Sequence, residues 1–157
     1  GVSMALTVRV GQAIGAKQMQ TARKRGILGI QICGLITCTS AFILWQFGAT
    51  LASWYTHETA VVGIATQLLA MAALFQIVDG LQVGAVGVLR GFKDTTIPML
   101  VAVFCYWVIG MGTALWFGVF GKMGPAGLWL GLVTGLFVAA IALNYRFHVL
   151  TKNAVDA

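Results

Sequence analysis

The sequence predicts an all-α integral membrane protein, a polytopic bundle of transmembrane helices. Hydrophobic residues make up 59% of its 157 residues and charged residues only 9%, whereas soluble domains carry about 25% charged residues. The apolar runs between the charged positions are long enough to cross a hydrocarbon core, which requires about 20 residues. The chain also has 20 glycines, which suit helices that pack closely in lipid. We therefore expect one continuous membrane domain over residues 1–157 and exclude an ordinary soluble domain.

The first part of the chain is organised around a basic loop. Residues 1–16 are too short to span a membrane, so they are expected to form the end of a helix that leaves the membrane at Arg9. Residues 26–54 form the first full span, and three aromatic residues near its far end are typical of a membrane interface: Trp45, Trp54 and Tyr55. The chain is therefore expected to begin partway along a membrane helix.

Three further transmembrane helices are expected at residues 60–89, 97–120 and 125–147. Pro98 and Pro125 lie near the starts of the last two spans, where proline is tolerated in the first helical turn. The spans are separated by short polar turns, as expected for neighbouring helices that run in opposite directions.

The last span contains a ridge of glycines, which has the spacing GxxxGxxxG: Gly127, Gly131 and Gly135. This spacing lets a neighbouring helix approach closely, so helix packing explains the ridge without a ligand. The polar residues 148–157 that follow are expected to form a loose tail.

The basic residues are distributed very unevenly between the two sides of the membrane. Alternating spans place nine on one side: Arg9, Lys17, Arg23, Lys24, Arg25, Arg90, Lys93, Arg146 and Lys152. Only Lys122 lies on the other side. By the positive-inside rule, the first basic loop, the loop after Arg90 and the C-terminus are expected to be cytoplasmic. The net charge of +6 is thus explained by membrane topology, and nucleic acid is not expected as a partner.

Asp79 is the only formally charged side chain between Glu58 and Arg90. A carboxylate at membrane depth costs about 2.5–3.5 kcal/mol on insertion scales, so such a group usually faces a protein interior or a watery cavity and has a function. Gln76 and Gln82 share its helix face within an arc of about 120°. Their amides could help to hold a partly dehydrated cation, or orient a carboxylate that titrates.

Simpler explanations for this polar group remain open. Asp79 could pair with an arginine on a helix outside this sequence and serve only to fix packing. Interhelical hydrogen bonding alone could explain Gln76 and Gln82. Tyr106 and Trp107 lie midway along the next span, where they could line a path for a flat cation or have lipid-facing or packing roles.

Other chemistry finds no support in the sequence. His57 and His148 have no second ligand at metal spacing, and the three cysteines form no CxxC pair. No phosphate-binding loop or nucleophile arrangement is recognisable. The sequence thus predicts neither an enzyme nor a cofactor-binding protein, and no metal site beyond Na⁺ at Asp79.

Several stretches of the sequence are similar to those of a known transporter family. They are residues 9–16 (RVGQAIGA), 75–82 (FQIVDGLQ), 87–95 (GVLRGFKDT), 106–107 (YW) and 124–127 (GPAG). Together they resemble the multidrug and toxic compound extrusion (MATE) family of the NorM type. The match extends over essentially the whole chain, and its most specific part runs from Asp79 to Thr95.

The resemblance implies a twelve-helix fold in two six-helix lobes, of which this chain would be the end of helix eight through helix twelve. Such proteins export organic cations in exchange for inward Na⁺ or H⁺. Asp79 matches the family's acidic residue on helix ten, which is implicated in ion coupling. The resemblance also implies an acidic partner on helix seven, which this sequence does not include, and a location in the bacterial inner membrane.

The sequence therefore predicts part of a cation-coupled multidrug antiporter that works by alternating access. The implied partners are organic cation substrates, the bilayer, helix seven and the N-terminal lobe of the same transporter. One alternative is a related flippase for a lipid-linked precursor, in which a basic cavity would be expected. Another is a non-transporting membrane scaffold that uses its glycine faces for assembly.

Overall fold

The structure, a computed structural model, describes residues 1–156, and their side chains through residue 152. Every regular element in this part of the chain is helical. The helices are α1 (Val2–Gly15), α2 (Met19–Ser53), α3 (Thr59–Gly91), α4 (Thr96–Phe120) and α5 (Pro125–Asp156). By length and composition, α2 to α5 could each cross a membrane.

Two helices extend beyond the apolar runs from which they were predicted. Helix α2 begins at Met19 rather than at residue 26, because lysine and arginine are good helix formers and continue the helix past the apolar run. Helix α5 continues to Asp156. The expectation of a loose tail is therefore wrong for the backbone of residues 148–156, and residue 157 lies outside the described residues. Thr151 is 1% exposed, and its hydroxyl donates to the carbonyl of Phe147 at 2.9 Å.

Tight turns connect the helices at the end of the bundle that carries most of the basic residues. Lys17 (φ 57°) and Lys93 (φ 61°) both adopt the left-handed conformation that commonly ends a helix. In the second turn, the backbone amide of Asp94 donates to the carbonyl of Leu89 at 3.0 Å. These turns place the ends of α1 and α3 beside the starts of α2 and α4.

Helix α3 is the centre of the bundle and packs against α1, α2 and α5. The main hydrophobic cluster lies where these four helices meet, toward the end with the basic residues. Its buried members are Leu6, Val10, Ala13, Ala22, Ile30, Cys33, Ala85, Val88, Leu89, Leu143 and Phe147. The main core of the described residues therefore lies in this half of the bundle.

Small residues bring α1 and α3 into close contact. The Ser3 hydroxyl donates to the carbonyl of Val83 at 2.9 Å, and the Thr7 hydroxyl donates to the carbonyl of Gly87 at 2.8 Å. A Cβ atom on Gly87 would lie 2.6 Å from the carbonyl oxygen of Ser3, so only glycine permits this approach. Hydrogen bonds between closely packed helices of this kind stabilise membrane bundles.

The end of α5 is attached to the turn between α3 and α4. Arg146 Nε donates to Asp94 Oδ2 at 3.0 Å, and the rings of Phe92 and Phe147 meet edge to face with centroids 6.4 Å apart. Because this ion pair is partly exposed, it contributes at most about 1 kcal/mol. Its importance is positional, since it fixes α5 beside the turn.

Helix α4 contains two π-helical segments, Cys105–Gly110 and Trp116–Phe120, which the sequence did not predict. The glycine ridge of α5 packs directly on this irregular helix. A Cβ on Gly127 would lie 2.6 Å from the carbonyl carbon of Phe117, and one on Gly135 would lie 2.7 Å from the carbonyl oxygen of Cys105. The predicted packing role of the ridge is confirmed.

Candidate functional site

Asp79 lies half-buried on α3 and lines a cavity of about 390 Å³ between α3, α4 and α5. The other residues that line this cavity are Phe75, Tyr106, Gly110, Leu132 and Leu136. Apart from the Asp79 carboxylate and the Tyr106 hydroxyl, their side chains are apolar. The cavity therefore combines one acidic group with aromatic and aliphatic walls.

The cavity exists because the helices around it are unevenly spaced. Among the described residues, α4 packs closely on α5 but not along the length of α3. The glycine face of α3 is turned toward α2, where Gly80 and Gly84 meet Thr37 and Cys33. Asp79 is thereby left beside the gap between α3 and α4.

The Asp79 carboxylate has no hydrogen-bond or ion-pair partner among the side chains of residues 1–152. In the same part of the chain, no fully buried side-chain oxygen or nitrogen lacks a partner, so the Asp79 oxygens open onto accessible space. A carboxylate at membrane depth without a partner is costly in its charged form. Binding of a cation or a proton would remove that cost.

Gln82 and Tyr106 form a hydrogen-bonded pair next to this cavity. Gln82 is only 4% exposed, and the Tyr106 hydroxyl donates to its Oε1 atom at 2.7 Å. Gln82 was expected to support Asp79, but its amide is engaged with Tyr106, which itself lines the Asp79 cavity. Any effect of Gln82 on the carboxylate would therefore pass through the position of Tyr106.

Gln76 and Trp107 lie outside the cavity lining. Gln76 is half-buried, and its amide makes no hydrogen bond within the described side chains. Trp107 is 70% exposed and lines a second cavity of about 500 Å³ that also includes Arg90. Tyr106 and Trp107 were expected to share a path, and Tyr106 is the residue common to both cavities.

Phe75 also lines the Asp79 cavity, although it is not among the residues predicted from the sequence. It precedes Asp79 by four positions and therefore shares its helix face, a spacing that could have identified it. Its ring meets that of Trp129 edge to face, with centroids 6.1 Å apart. Phe75 and Tyr106 thus place two aromatic rings at the cavity, where an organic cation could contact their faces.

A larger cavity of about 570 Å³ lies between α2 and α3 near the opposite end of the bundle. Leucine, valine and alanine form most of its wall, and it includes no acidic or basic residue. Size alone would favour it as a binding site. The smaller cavity is the better candidate for ion coupling because it has the carboxylate.

A conventional metal site is not found in the described residues, where no three His, Cys, Asp or Glu side chains converge. His57 lies in the turn before α3 and His148 lies in the last part of α5. A lone carboxylate with a nearby phenol and amide offers oxygen ligands only, which are the ligands of hard cations.

The chain has extensive similarity to known transporters. Residues 1–116 match the model of the MatE family. The chain is 39% identical over 153 residues to the probable multidrug resistance protein NorM of Xylella fastidiosa strain 9a5c, with 97% of this chain and 32% of that protein covered. It is 42% identical over 148 residues to the corresponding protein of Xanthomonas axonopodis pv. citri strain 306, with 94% and 32% covered.

The fold is similar to that of a solved transporter. The crystal structure of the eukaryotic MATE transporter AtDTX14 matches 98% of this chain with a TM-score of 0.86 and 25% sequence identity, over 35% of that protein's chain. This chain therefore spans about a third of the length of its relatives.

Proposed function

Because the chain belongs to the MatE family, we propose that it forms the end of helix eight through helix twelve of a multidrug exporter that is driven by an inward Na⁺ or H⁺ gradient. Asp79 is the coupling residue in this proposal, and organic cations are the substrates. The remaining partners are the bilayer, the N-terminal lobe and an acidic residue on helix seven of the same transporter. The protein would reside in the bacterial inner membrane.

The single observation that supports this role most directly is the Asp79 carboxylate, which faces a cavity and has no partner in the described side chains. In one state of the transporter, Asp79 would hold Na⁺ or a proton, and in the other it would release that ion. An ion can shift a conformational equilibrium only by the difference between its affinities for the two states. Repacking of the lobe between those states would provide alternating access.

The lining of the Asp79 cavity favours an exporter of cations over a flippase for a lipid-linked precursor. The flippase would require basic groups to hold an anionic substrate. The cavity instead contains one acidic residue, two aromatic rings and no basic residue. Arg90 lines only the neighbouring cavity, at the end of the bundle.

The function is tested by transport in vesicles that contain the complete transporter. We expect an imposed Na⁺ or H⁺ gradient to drive a fluorescent organic cation such as ethidium across the membrane, and a reversed gradient to reverse the direction. Separate gradients of the two ions identify the coupling ion. Movement that is independent of both gradients would contradict ion coupling, and no movement of several cations would favour the scaffold alternative. Because this chain spans about a third of the length of its relatives, it is expected not to transport by itself.

The proposed orientation gives a second test. The turns at Lys17 and Lys93 lie at the same end of the bundle as the last part of α5, so we expect all three to be cytoplasmic. A fluorescent protein fused after residue 157 of the complete transporter should fluoresce, whereas periplasmic alkaline phosphatase at the same position should be inactive. The same phosphatase inserted in the turn at Lys122 is the matched control and should be active. The opposite pattern would invert the orientation.

A further inference from the structure

Tyr106 lines two cavities of different character. On one side lies the cavity of about 390 Å³ that Asp79 lines. On the other lies the cavity of about 500 Å³ that runs along α3 and α4 to Arg90, which we call the Arg90 groove; it is lined by Val86, Arg90, Thr95, Pro98, Met99, Ala102, Val103, Tyr106 and Trp107. Tyr106 lines both cavities and therefore lies on the direct path from Asp79 toward the basic end of the bundle.

Three features hold the Tyr106 side chain between the cavities. Its hydroxyl donates to Gln82, which is 4% exposed and thus fixed within the packed interior. Its backbone belongs to the π-helical segment Cys105–Gly110, and such segments are frequent at functional sites. That segment is in turn positioned by Gly135, which approaches Gly110 closely.

We propose that Tyr106 closes the route between Asp79 and the Arg90 groove, and that Gln82 holds it in the closed position. The route opens when the hydrogen bond breaks and the ring swings away from Gln82. Opening leaves a buried amide without its partner, so the closed position is favoured in the absence of another change. Ion release toward the basic end is thereby tied to breakage of the hydrogen bond between Tyr106 on α4 and Gln82 on α3.

This inference rests on the proposed coupling role of Asp79, but its test does not require transport. In the complete transporter with every cysteine replaced by serine, Asp79→Cys provides a thiol inside the cavity. A charged, membrane-impermeant methanethiosulfonate reagent is then added from the basic end. We expect Tyr106→Ala to increase the rate at which the reagent labels this thiol about tenfold. A change of this size corresponds to the loss of about one hydrogen bond.

Val103→Ala is the matched control, because Val103 lines the Arg90 groove but not the Asp79 cavity. Its labelling rate should equal that of the parent. If Tyr106→Ala is labelled no faster than Val103→Ala, the proposed closure is wrong. If Tyr106→Ala fails to insert, Tyr106→Phe provides the test, because it keeps the ring and loses only the hydrogen bond to Gln82. Faster labelling of Tyr106→Phe than of the control supports the proposal. Equal labelling contradicts it.

A functional measurement separates this inference from the proposed function. With Asp79 intact and no drug present, Tyr106→Ala should collapse an imposed gradient of the coupling ion faster than Val103→Ala does. If Asp79→Asn inactivates transport but Tyr106→Ala neither leaks nor speeds labelling, only the role of Tyr106 is refuted. If Asp79→Asn transports normally, the coupling role fails, and with it the significance of the route.

Discussion

Replacement of Asp79 by asparagine in the complete transporter is expected to abolish gradient-driven export of organic cations while leaving the protein inserted in the membrane. The amide has nearly the same size as the carboxylate, so the cavity between α3, α4 and α5 keeps its shape. It can neither bind a proton at physiological pH nor balance the charge of Na⁺. In the proposed mechanism the two states are then no longer coupled to the gradient, so we expect the rate of gradient-driven export to fall about 100-fold, near the upper range of coupling free energies.

Glu58→Gln is the matched control for this change. Glu58 is an exposed acid that immediately precedes α3, the same helix that contains Asp79, and it makes no side-chain capping bond. Its neutralisation should leave export unchanged. Ethidium efflux from energised vesicles and the amount of protein in the membrane should be measured for both variants. Normal efflux by Asp79→Asn would refute the coupling role.

The second large effect is expected from Gly135→Ala on the α5 glycine ridge. A Cβ on this residue would lie 2.7 Å from both the Cys105 carbonyl oxygen and the Gly110 Cα. These are backbone atoms that cannot rotate away, so α4 and α5 must separate. Overpacking of this kind costs about 1–3 kcal/mol, and it would also displace the π-helical segment that contains Tyr106. We therefore expect a lower thermal unfolding midpoint and impaired transport.

Gly112→Ala provides the comparison, because a Cβ there meets nothing within 4 Å in the described structure. In an open helical position, alanine is favoured over glycine by about 0.8–1.0 kcal/mol. The unfolding midpoint of this variant should thus be unchanged or slightly raised. Equal destabilisation by both substitutions would show that general sensitivity of α4 and α5, rather than the close approach at Gly135, determines the effect.

Much of the architecture could be predicted because the membrane constrains it locally. A long apolar run bounded by charged residues must form a spanning helix, since backbone groups have no other partners in lipid. The ends of the helices were less predictable where the chain leaves the lipid and enters water. Lys24 and Arg25 lie within α2, and Thr151 is buried on an extension of α5, because a helix continues beyond the lipid wherever its neighbours or its own propensity support it.

The candidate site could be predicted only in part. Asp79 was identifiable because a lone charge in an apolar span is conspicuous and costly. The partnership between Gln82 and Tyr106 joins residues 24 positions apart on different helices, and no pattern along the sequence indicates it. The π-helical turns of α4, which pack against the glycines of α5, were equally hidden, because no pattern along the sequence indicates them.

The sequence by itself determined the class of protein and the order of its helices, and it singled out Asp79, the residue that we propose for ion coupling. Hydropathy and isolated charge are properties of single segments, and the bilayer acts on each segment separately. Only the tertiary structure decided that Asp79 faces a cavity, that Tyr106 lines the same cavity, and that the Gln82 amide is hydrogen-bonded to Tyr106. Those features depend on the distances between helices, which the small residues at their contacts determine jointly.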